Sequence, residues 1–193
     1  METDKIKEWD QFYLNKNAFG DSYKELKAFL EDIKEKKNLL DLGSGQGRNA
    51  LMADALGFEV TAVDLSKVGI DQTVATSNNR VKGIVADIFD YNIDQMYQVI
   101  LLDAVIHCQF EDLDNESLLF DRIEKSLVNY GYVLLITHQW NMREQHLKSL
   151  FKKDYPNLEY QFNHHIAHRY LPPHETEEHV MEMSMMCFQK KKS

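Results

Sequence analysis

The chain has 193 residues, of which 44% are hydrophobic. That length suits one folded domain with a core and is short for a catalytic domain plus a large accessory one. The formal charge is −9 at pH 7, so the surface repels phosphate backbones and we expect no nucleic-acid partner. Two cysteines are too few for a disulfide framework, and no apolar run approaches the length of a membrane span. The first residues lack a signal segment, which predicts a cytoplasmic protein without a membrane partner.

Two amphipathic helices are predicted at the start of the chain. Hydrophobic residues recur every three or four positions from Ile6 to Asn17 and from Ser22 to Lys36, and Gly20-Asp21 separates the two segments. The first segment is rich in aromatic rings, namely Trp9, Phe12, Tyr13 and, just beyond it, Phe19. Such rings either pack a terminal helix onto the domain or form a lid over a binding site, and both alternatives stay open.

The functional prediction depends on a glycine-rich turn. The apolar strand Leu39–Leu42 leads into Gly43-Ser44-Gly45-Gln46-Gly47, and a helix is predicted from Arg48 to Leu56. Glycines at such a turn permit positive φ and let a ligand approach the backbone. A dinucleotide turn requires Gly-x-Gly-x-x-Gly, but Arg48 occupies the third glycine position, and the spacings of a phosphate loop and a nucleophile elbow are absent. Asp41, before the first glycine, favours a cationic ligand.

Strands and helices then alternate as far as residue 137. This alternation predicts a doubly wound parallel sheet, in which ligands bind at the carboxyl ends of the strands. The predicted strands are Phe58–Val63, Val81–Ala86, Tyr97–Asp103 and Gly131–Thr137, and the predicted helices are Ser66–Asn79 and Glu116–Leu127.

Polar residues follow several of these strands. Asp64 ends the second strand ~20 residues beyond the glycine turn, where it can accept both ribose hydroxyls or cap the next helix. His107 follows the fourth strand and either faces the ligand or caps the following helix. His138-Gln139-Trp140 leaves the fifth strand at the same edge, which strengthens the expectation of a pocket there.

The last third of the chain is predicted as a helix and two strands. The helix covers Asn141 to Asp154, and the strands cover Leu158–Phe162 and Val180–Phe188. Methionines at every second position of the final strand indicate a half-buried strand. Five histidines lie between the two strands: His164, His165, His168, His174 and His179. The last two are one residue too far apart for the paired ligands of a metalloprotease helix, and we predict no metal site.

An acidic residue, one spacer and Gly-x-Gly-x-Gly, here Asp41 to Gly47, resemble the first motif of class I S-adenosylmethionine-dependent methyltransferases. The resemblance implies an α/β fold with a doubly wound, mostly parallel, seven-stranded Rossmann-like sheet. It implies one domain, 1–193, made of lid helices (1–37), a cofactor-binding core (38–137) and a C-terminal substrate-side part (138–193). The implied cofactor is S-adenosylmethionine, with S-adenosylhomocysteine as product. The implied cofactor-binding residues are Asp41, Gly43, Ser44, Gly45, Gly47, Arg48, Asn49, Asp64, Leu65, Asp87, Ile88 and Asp103.

Within that class, Gly45-Gln46-Gly47-Arg48-Asn49 and the pair His168-Arg169 resemble the tellurite-resistance (TehB-like) group. That resemblance implies a pocket for an anionic or soft acceptor, and we expect a small-molecule thiol or chalcogen. The protein is expected to be a monomer or homodimer. His168 and Arg169 would orient the acceptor and, with His107, are the predicted catalytic residues. A further basic residue of some members has no counterpart between Val180 and Phe188. Two alternatives remain: a non-catalytic sensor that binds the cofactor, and a nicotinamide-dependent oxidoreductase, which Arg48 disfavours.

Overall fold

The computed structural model describes residues 2–15, 17–139, 142–172 and 175–192. Within these ranges the helices are α1 (Glu2–Phe12), α2 (Lys24–Asp32), α3 (Arg48–Ala55), α4 (Lys67–Thr76), α5 (Leu113–Lys125) and α6 (Arg143–Asp154). The strands are β1 (Asn38–Leu42), β2 (Glu59–Asp64), β3 (Lys82–Val85), β4 (Tyr97–Asp103), β5 (Leu127–His138), β6 (Leu158–Tyr170) and β7 (His179–Lys190). No helix in these ranges has the length and apolar character needed to cross a membrane.

The strands form one seven-stranded sheet in the order β3-β2-β1-β4-β5-β7-β6. Strands β1 to β5 are parallel, and β7 runs antiparallel between β5 and β6. The predicted doubly wound, mostly parallel sheet is therefore confirmed. The strand order reverses between β1 and β4, and the crevice at such a point is where open α/β sheets bind ligands.

Helices cover both faces of the sheet, which explains why β1 and β4 are almost continuous apolar runs. On one face α5 and α6 pack through Leu119, Phe120, Ile123, Leu147 and Phe151. On the other face α2, α3 and α4 pack through Leu26, Leu30, Ala50, Ala53 and Ile70. The apolar residues of each helix recur at the spacing that places them on one side, so the amphipathic pattern fixes which side faces the sheet.

The largest error among the predicted boundaries concerns β6, although α1 also ends earlier than predicted, at Phe12, and β5 begins earlier, at Leu127. Strand β6 continues to Tyr170 instead of ending at Phe162, so His164, His165 and His168 lie within the strand and not between two strands. The hydropathy pattern does not show this continuation, because β6 is an edge strand of the sheet and carries polar residues on both faces. A register shift between Tyr160 and Phe162 also interrupts its alternation.

Candidate active site

A cavity of about 810 Å³ lies at the carboxyl ends of β1, β2, β4 and β5. Most of the predicted cofactor-binding residues line it: Gly43, Ser44, Gly45, Arg48, Asn49, Asp64, Leu65, Asp87, Ile88 and Asp103. The other two do not: Asp41 is buried within β1, and Gly47 precedes α3 and packs against Thr73. Ten of the twelve predicted residues thus share one cavity, and their role in binding the cofactor stays a prediction.

The glycines of the turn are required by contacts within the protein. Gly43 has φ +77°, and a Cβ there would lie 2.2 Å from Cγ1 of Val105. Gly45 has φ +55°, and its Cβ would lie 2.7 Å from the hydroxyl oxygen of Tyr13. A side chain at either position would thus be strained in its backbone and would displace a neighbour from the cavity wall.

The carboxylate of Asp64, at the end of β2, forms hydrogen bonds with the glycine turn and with the start of α4. One carboxylate oxygen accepts a hydrogen bond from the Gly45 N–H and the other accepts one from the Ser66 N–H, both at 2.8 Å. Ser66 itself caps α4, since its Oγ accepts from the Gly69 N–H at 3.1 Å. Burial raises the pKa of Asp64, and the two backbone donors oppose that rise. Each oxygen keeps acceptor capacity for a ligand hydroxyl.

Asp41 contributes to the electrostatics without touching the cavity. Its side chain is 1% exposed, and burial, with the charges of Asp103 and Asp64, raises its pKa to about 8. Arg48 and the Ala50 N–H act in the opposite direction. At neutral pH the folded protein therefore holds Asp41 mainly in its protonated form. A cation bound in the cavity would favour the ionised form.

Arg48 forms a buried polar network with β4 and the N-terminal segment. Its Nη2 donates to Asp103 at 2.7 Å and to the Tyr23 hydroxyl, while its Nη1 donates to the Phe19 carbonyl at 2.8 Å. Asn49 and the Tyr23 hydroxyl also donate to Asp103, at 2.8 and 3.1 Å. The guanidinium donors of Arg48 are thus engaged with Asp103, Tyr23 and the segment that contains Phe19.

Gln46, the other large side chain of the turn, holds the segment after α1. Its Nε2 donates to the carbonyls of Tyr13 and Asn15, at 3.1 and 2.8 Å, and its Oε1 accepts from the Ala18 N–H at 2.9 Å. These contacts go to the backbone, so they fix the path of the segment.

Asp10 attaches α1 to the start of α4. Its Oδ1 accepts from the Ser66 hydroxyl at 2.5 Å and from the Val68 N–H at 3.1 Å. With the helix held there, Trp9, Tyr13 and Phe19 line the cavity, whereas Phe12 is 38% exposed and does not. The aromatic segment therefore packs on the domain and contributes to the cavity lining, and its role as a lid stays a prediction.

His107 and His138 also line the cavity, where they follow the carboxyl ends of β4 and β5. Sequence reasoning placed the first among the catalytic residues but not the second, although its position after β5 was the available signal. Burial and the charge of Arg143 lower the pKa of His138, so its imidazole is neutral at neutral pH. The loop that carries His107 is held by Glu116, which accepts from the N–H groups of His107 and Cys108 at 2.8 and 2.9 Å.

His168 and Arg169 do not line the cavity. His168 is 8% exposed, and its Nε2 lies 2.8 Å from the Phe19 carbonyl and 3.1 Å from Nη1 of Arg48. Arg169 is exposed on the other face of β6, as the alternation of a strand requires. A catalytic role for this pair stays a prediction, while its geometry favours a positioning role for His168.

In the ranges that the structure describes, no three His, Cys, Asp or Glu side chains are placed to share a metal ion. His174 and Trp140, which the sequence analysis singled out, lie outside those ranges.

Comparison with protein families identifies the chain. Residues 5–165 match the family model described as tellurite resistance protein TehB. The chain belongs to the TehB family. A comparison with curated protein sequences gave no significant match.

Solved structures share the fold. TehB from Haemophilus influenzae is 20% identical with a TM-score of 0.68, and the match covers 95% of this chain and 67% of that one. N-methyltransferase NodS from Bradyrhizobium japonicum, solved with S-adenosylhomocysteine, is 10% identical with a TM-score of 0.72 and coverages of 97% and 98%. A protein from a study of disulfide-to-thioacetal conversion in echinomycin biosynthesis is 16% identical with a TM-score of 0.76 and coverages of 96% and 93%.

This member of the TehB family is an S-adenosylmethionine-dependent methyltransferase. The cavity fits that cofactor. Ser44 Oγ and Asn49 Oδ1 are buried in its wall without a hydrogen-bond partner in the described structure, so both can bind a polar ligand. Four aspartates also line the cavity, which suits a ligand that carries a sulfonium and an ammonium charge: Asp64, Asp87, Asp103 and Asp112.

Proposed function

We propose that this methyltransferase transfers the methyl group to a soft sulfur or chalcogen nucleophile of a small molecule. The observation that carries the proposal is that His107 and His138 both line the cavity and that the pKa of His138 is lowered. The volume of about 810 Å³ is typical of small-molecule sites, which span roughly 300–1,000 Å³. The α1 segment covers that volume, which argues against a polymeric acceptor.

The residues of the glycine turn, with Asp64 and Asp87, would hold the cofactor. When bound, S-adenosylmethionine supplies a methyl group on a sulfonium, which is already a strong leaving group. The protein therefore has to align the acceptor and exclude water. The rings of Trp9, Tyr13 and Phe19 serve the second purpose, because the hydrogen bonds of Gln46, Arg48 and Asp10 hold their segment over the cavity.

Proton removal from the acceptor is the step in which a side chain takes part directly. A free thiol has a pKa of about 8.5, so most of it is protonated at neutral pH. His138 is neutral there and can accept the thiol proton, and His107 is the second candidate for that role. An alcohol or a protonated aliphatic amine has a higher pKa than a thiol, so a single imidazole removes its proton much less readily. The similarity to the protein from the echinomycin study supports a sulfur acceptor, since that study concerns the conversion of a disulfide bond into a thioacetal group.

The test combines calorimetric titration of both cofactor forms with an assay of S-adenosylhomocysteine release. Thiols, selenite, phenols, amines and a structured RNA serve as acceptors, and the His138→Gln variant is run beside the wild type. We expect turnover on thiols or the chalcogen compound, and reduced turnover in the variant with unchanged cofactor affinity. Turnover confined to phenols, amines or RNA would refute the proposal. Tight cofactor binding without turnover on any acceptor would favour the sensor alternative.

A further inference from the structure

His168 joins the edge of the sheet to the N-terminal segment. Its side chain is 8% exposed, and its Nε2 lies 2.8 Å from the carbonyl oxygen of Phe19. Two hydrogen-bond acceptors would repel each other at this distance, and a carbonyl can only accept, so Nε2 carries the hydrogen of this bond. Arg48, which lies 3.1 Å from Nε2, donates to the same carbonyl at 2.8 Å. The Nε2 atom is therefore engaged as a donor and is unavailable to take a proton from a substrate.

Aromatic rings around His168 extend this contact along the segment. The ring of Tyr23 meets His168 edge-on, with centroids 4.9 Å apart, and the ring of Tyr170 stacks on His168 at 5.7 Å. The rings of Phe19 and Tyr170 are 6.2 Å apart. His168 and Tyr170 are two residues apart in β6 and so share one face of the strand. This face forms a surface on which the segment from Phe19 to Tyr23 packs.

Gly20 permits the close approach of the segment to β6. It has φ +70°, and a Cβ there would lie 2.9 Å from Cβ of Tyr170 and 3.7 Å from Nε2 of His168. Its own N–H donates to the Asn17 carbonyl at 3.1 Å. A side chain at position 20 would strain the backbone and push the segment away from β6. The contact is thus specified by Gly20 as well as by His168.

Strand order separates this contact from the predicted cofactor residues. Asp64 and Asp87 follow β2 and β3, whereas His138 ends β5 and Met181 belongs to β7. Neighbouring strands are about 4.8 Å apart, so β7 lies roughly 19 Å from β2, four steps along the sheet. Under the proposed function the cofactor occupies the β1–β3 side, which leaves the side of β5 and β7 for the methyl acceptor.

The segment held by His168 forms part of the cavity wall on that second side. In the register of the sheet His168 is paired with Met181, which lines the cavity. Phe19, Gly20 and Tyr23 line the same cavity, whereas His168 does not. His168 therefore lies behind the wall that these three residues and Met181 form.

We propose that His168 is a positioning residue whose Nε2–H holds the Phe19 backbone, so that the segment from Phe19 to Tyr23 forms the wall against which the methyl acceptor binds. Because this inference rests on the proposed function, its effect on catalysis is expected with thiol acceptors. His168 touches neither the methyl acceptor nor the cofactor. It should control the affinity for the methyl acceptor, while removal of the proton stays with His138 or His107.

The experiment replaces the imidazole by two amides of different reach. In His168→Gln the amide nitrogen lies near the position of Nε2 and can donate to Phe19, whereas in His168→Asn it is too short. His164→Gln is the control, because His164 is exposed on the same face of β6. We expect His168→Asn to raise the KM for mercaptoethanol about fivefold, as loss of one hydrogen bond predicts, with kcat and the affinity for S-adenosylhomocysteine nearly unchanged. His168→Gln and the control should stay close to wild type.

Gly20→Ala tests the same contact from the side of the segment. It should raise the KM for mercaptoethanol as His168→Asn does. The double variant should be little worse than either single variant, because both changes release the same segment. Fully additive effects would show that the two residues act independently and would refute the inference.

The competing roles of His168 give different results. If His168 removes the proton of the methyl acceptor, His168→Gln should lose as much turnover as His168→Asn and should abolish the acidic fall of kcat/KM. A lower Tm of His168→Asn with an unchanged KM would establish a purely structural role. Either result would overturn the inference.

If no thiol is methylated, the proposed thiol acceptor fails, and NMR spectroscopy of the complex with S-adenosylhomocysteine decides about His168. Hydrogen exchange at the Gly20 amide should be about fivefold faster in His168→Asn and nearly unchanged in His168→Gln. The imidazole ¹⁵N signals of the wild type should show a hydrogen on Nε2 of His168. Unchanged exchange in His168→Asn, or an Nε2 without hydrogen, would refute the positioning role.

Discussion

Replacing Asp41 by Asn tests the electrostatics beneath the glycine turn. The asparagine has nearly the same shape, but it cannot ionise. In the wild type the folded state keeps a proton on Asp41 up to pH about 8, whereas the unfolded chain loses it near the ordinary value of 3.8. The folded state therefore binds more protons than the unfolded state between these values, so stability falls as pH rises. The slope is about 1.4 kcal/mol per pH unit.

The Asn variant lacks this penalty. Its stability relative to wild type should grow by about 2.7 kcal/mol from pH 5 to pH 7 and should level off above pH about 8. Urea unfolding curves at each pH measure the difference, and comparison with the wild type cancels the titration of all other groups. Two stability curves that run parallel across this range would refute the reasoning, because they would mean that Asp41 ionises normally in the fold. Saturating S-adenosylmethionine should reduce the difference, since its positive charges favour the ionised carboxylate.

Three further predictions concern the contacts around the cavity. Arg48→Met leaves the carboxylate of Asp103, which is 7% exposed, without its cation, and should lower the free energy of unfolding in urea by about 3–5 kcal/mol. Adding Asp103→Asn should recover most of the lost stability. A double variant as unstable as the single variant would contradict this prediction. Asp10→Ala removes the hydrogen-bond acceptor that holds α1 at the start of α4, which should weaken the attachment of α1 by about 1 kcal/mol. Limited proteolysis should therefore cut α1 earlier than in wild type. Unchanged digestion would show that other contacts hold the helix. In a pH–rate profile with thiol acceptors, kcat/KM of the wild type should fall on the acidic side with a midpoint below the ordinary histidine pKa of 6.5. His138→Gln should remove this acidic fall.

The cavity wall that contains the glycine turn was predictable because its signals are local. The positions Gly43, Gly45 and Asp64 follow from a glycine turn after one buried strand and an acidic residue after the next. Each requires only that strand ends be recognised, and parallel strands bring their carboxyl ends to one edge of the sheet. The apolar runs of β1, β2 and β4 made those ends clear.

The surroundings of the residues expected to contact the acceptor were harder to predict because they depend on side-chain direction and long-range contacts. The orientation of His168 and Arg169 follows from the register of β6, which a bulge and the polar character of an edge strand conceal. Arg143 is one basic residue among several in α6, and the sequence contains no sign that it alone is buried. His138 was recognised as part of a pocket but was not given a role, since its lowered pKa depends on that buried arginine.

The glycine turn has two structural roles, one for its backbone and one for its non-glycine side chains. Its backbone forms one wall of the cavity, while the side chains of Gln46 and Arg48 hold the segment that covers it. Gln46 binds backbone groups of that segment at Tyr13, Asn15 and Ala18, so these contacts do not depend on the side chains of the segment. We therefore expect that the rings of Trp9 and Phe19 can be exchanged without loss of these contacts. Conversely, we expect a movement of the turn to be transmitted to the segment, because Gln46 and Arg48 of the turn hold it.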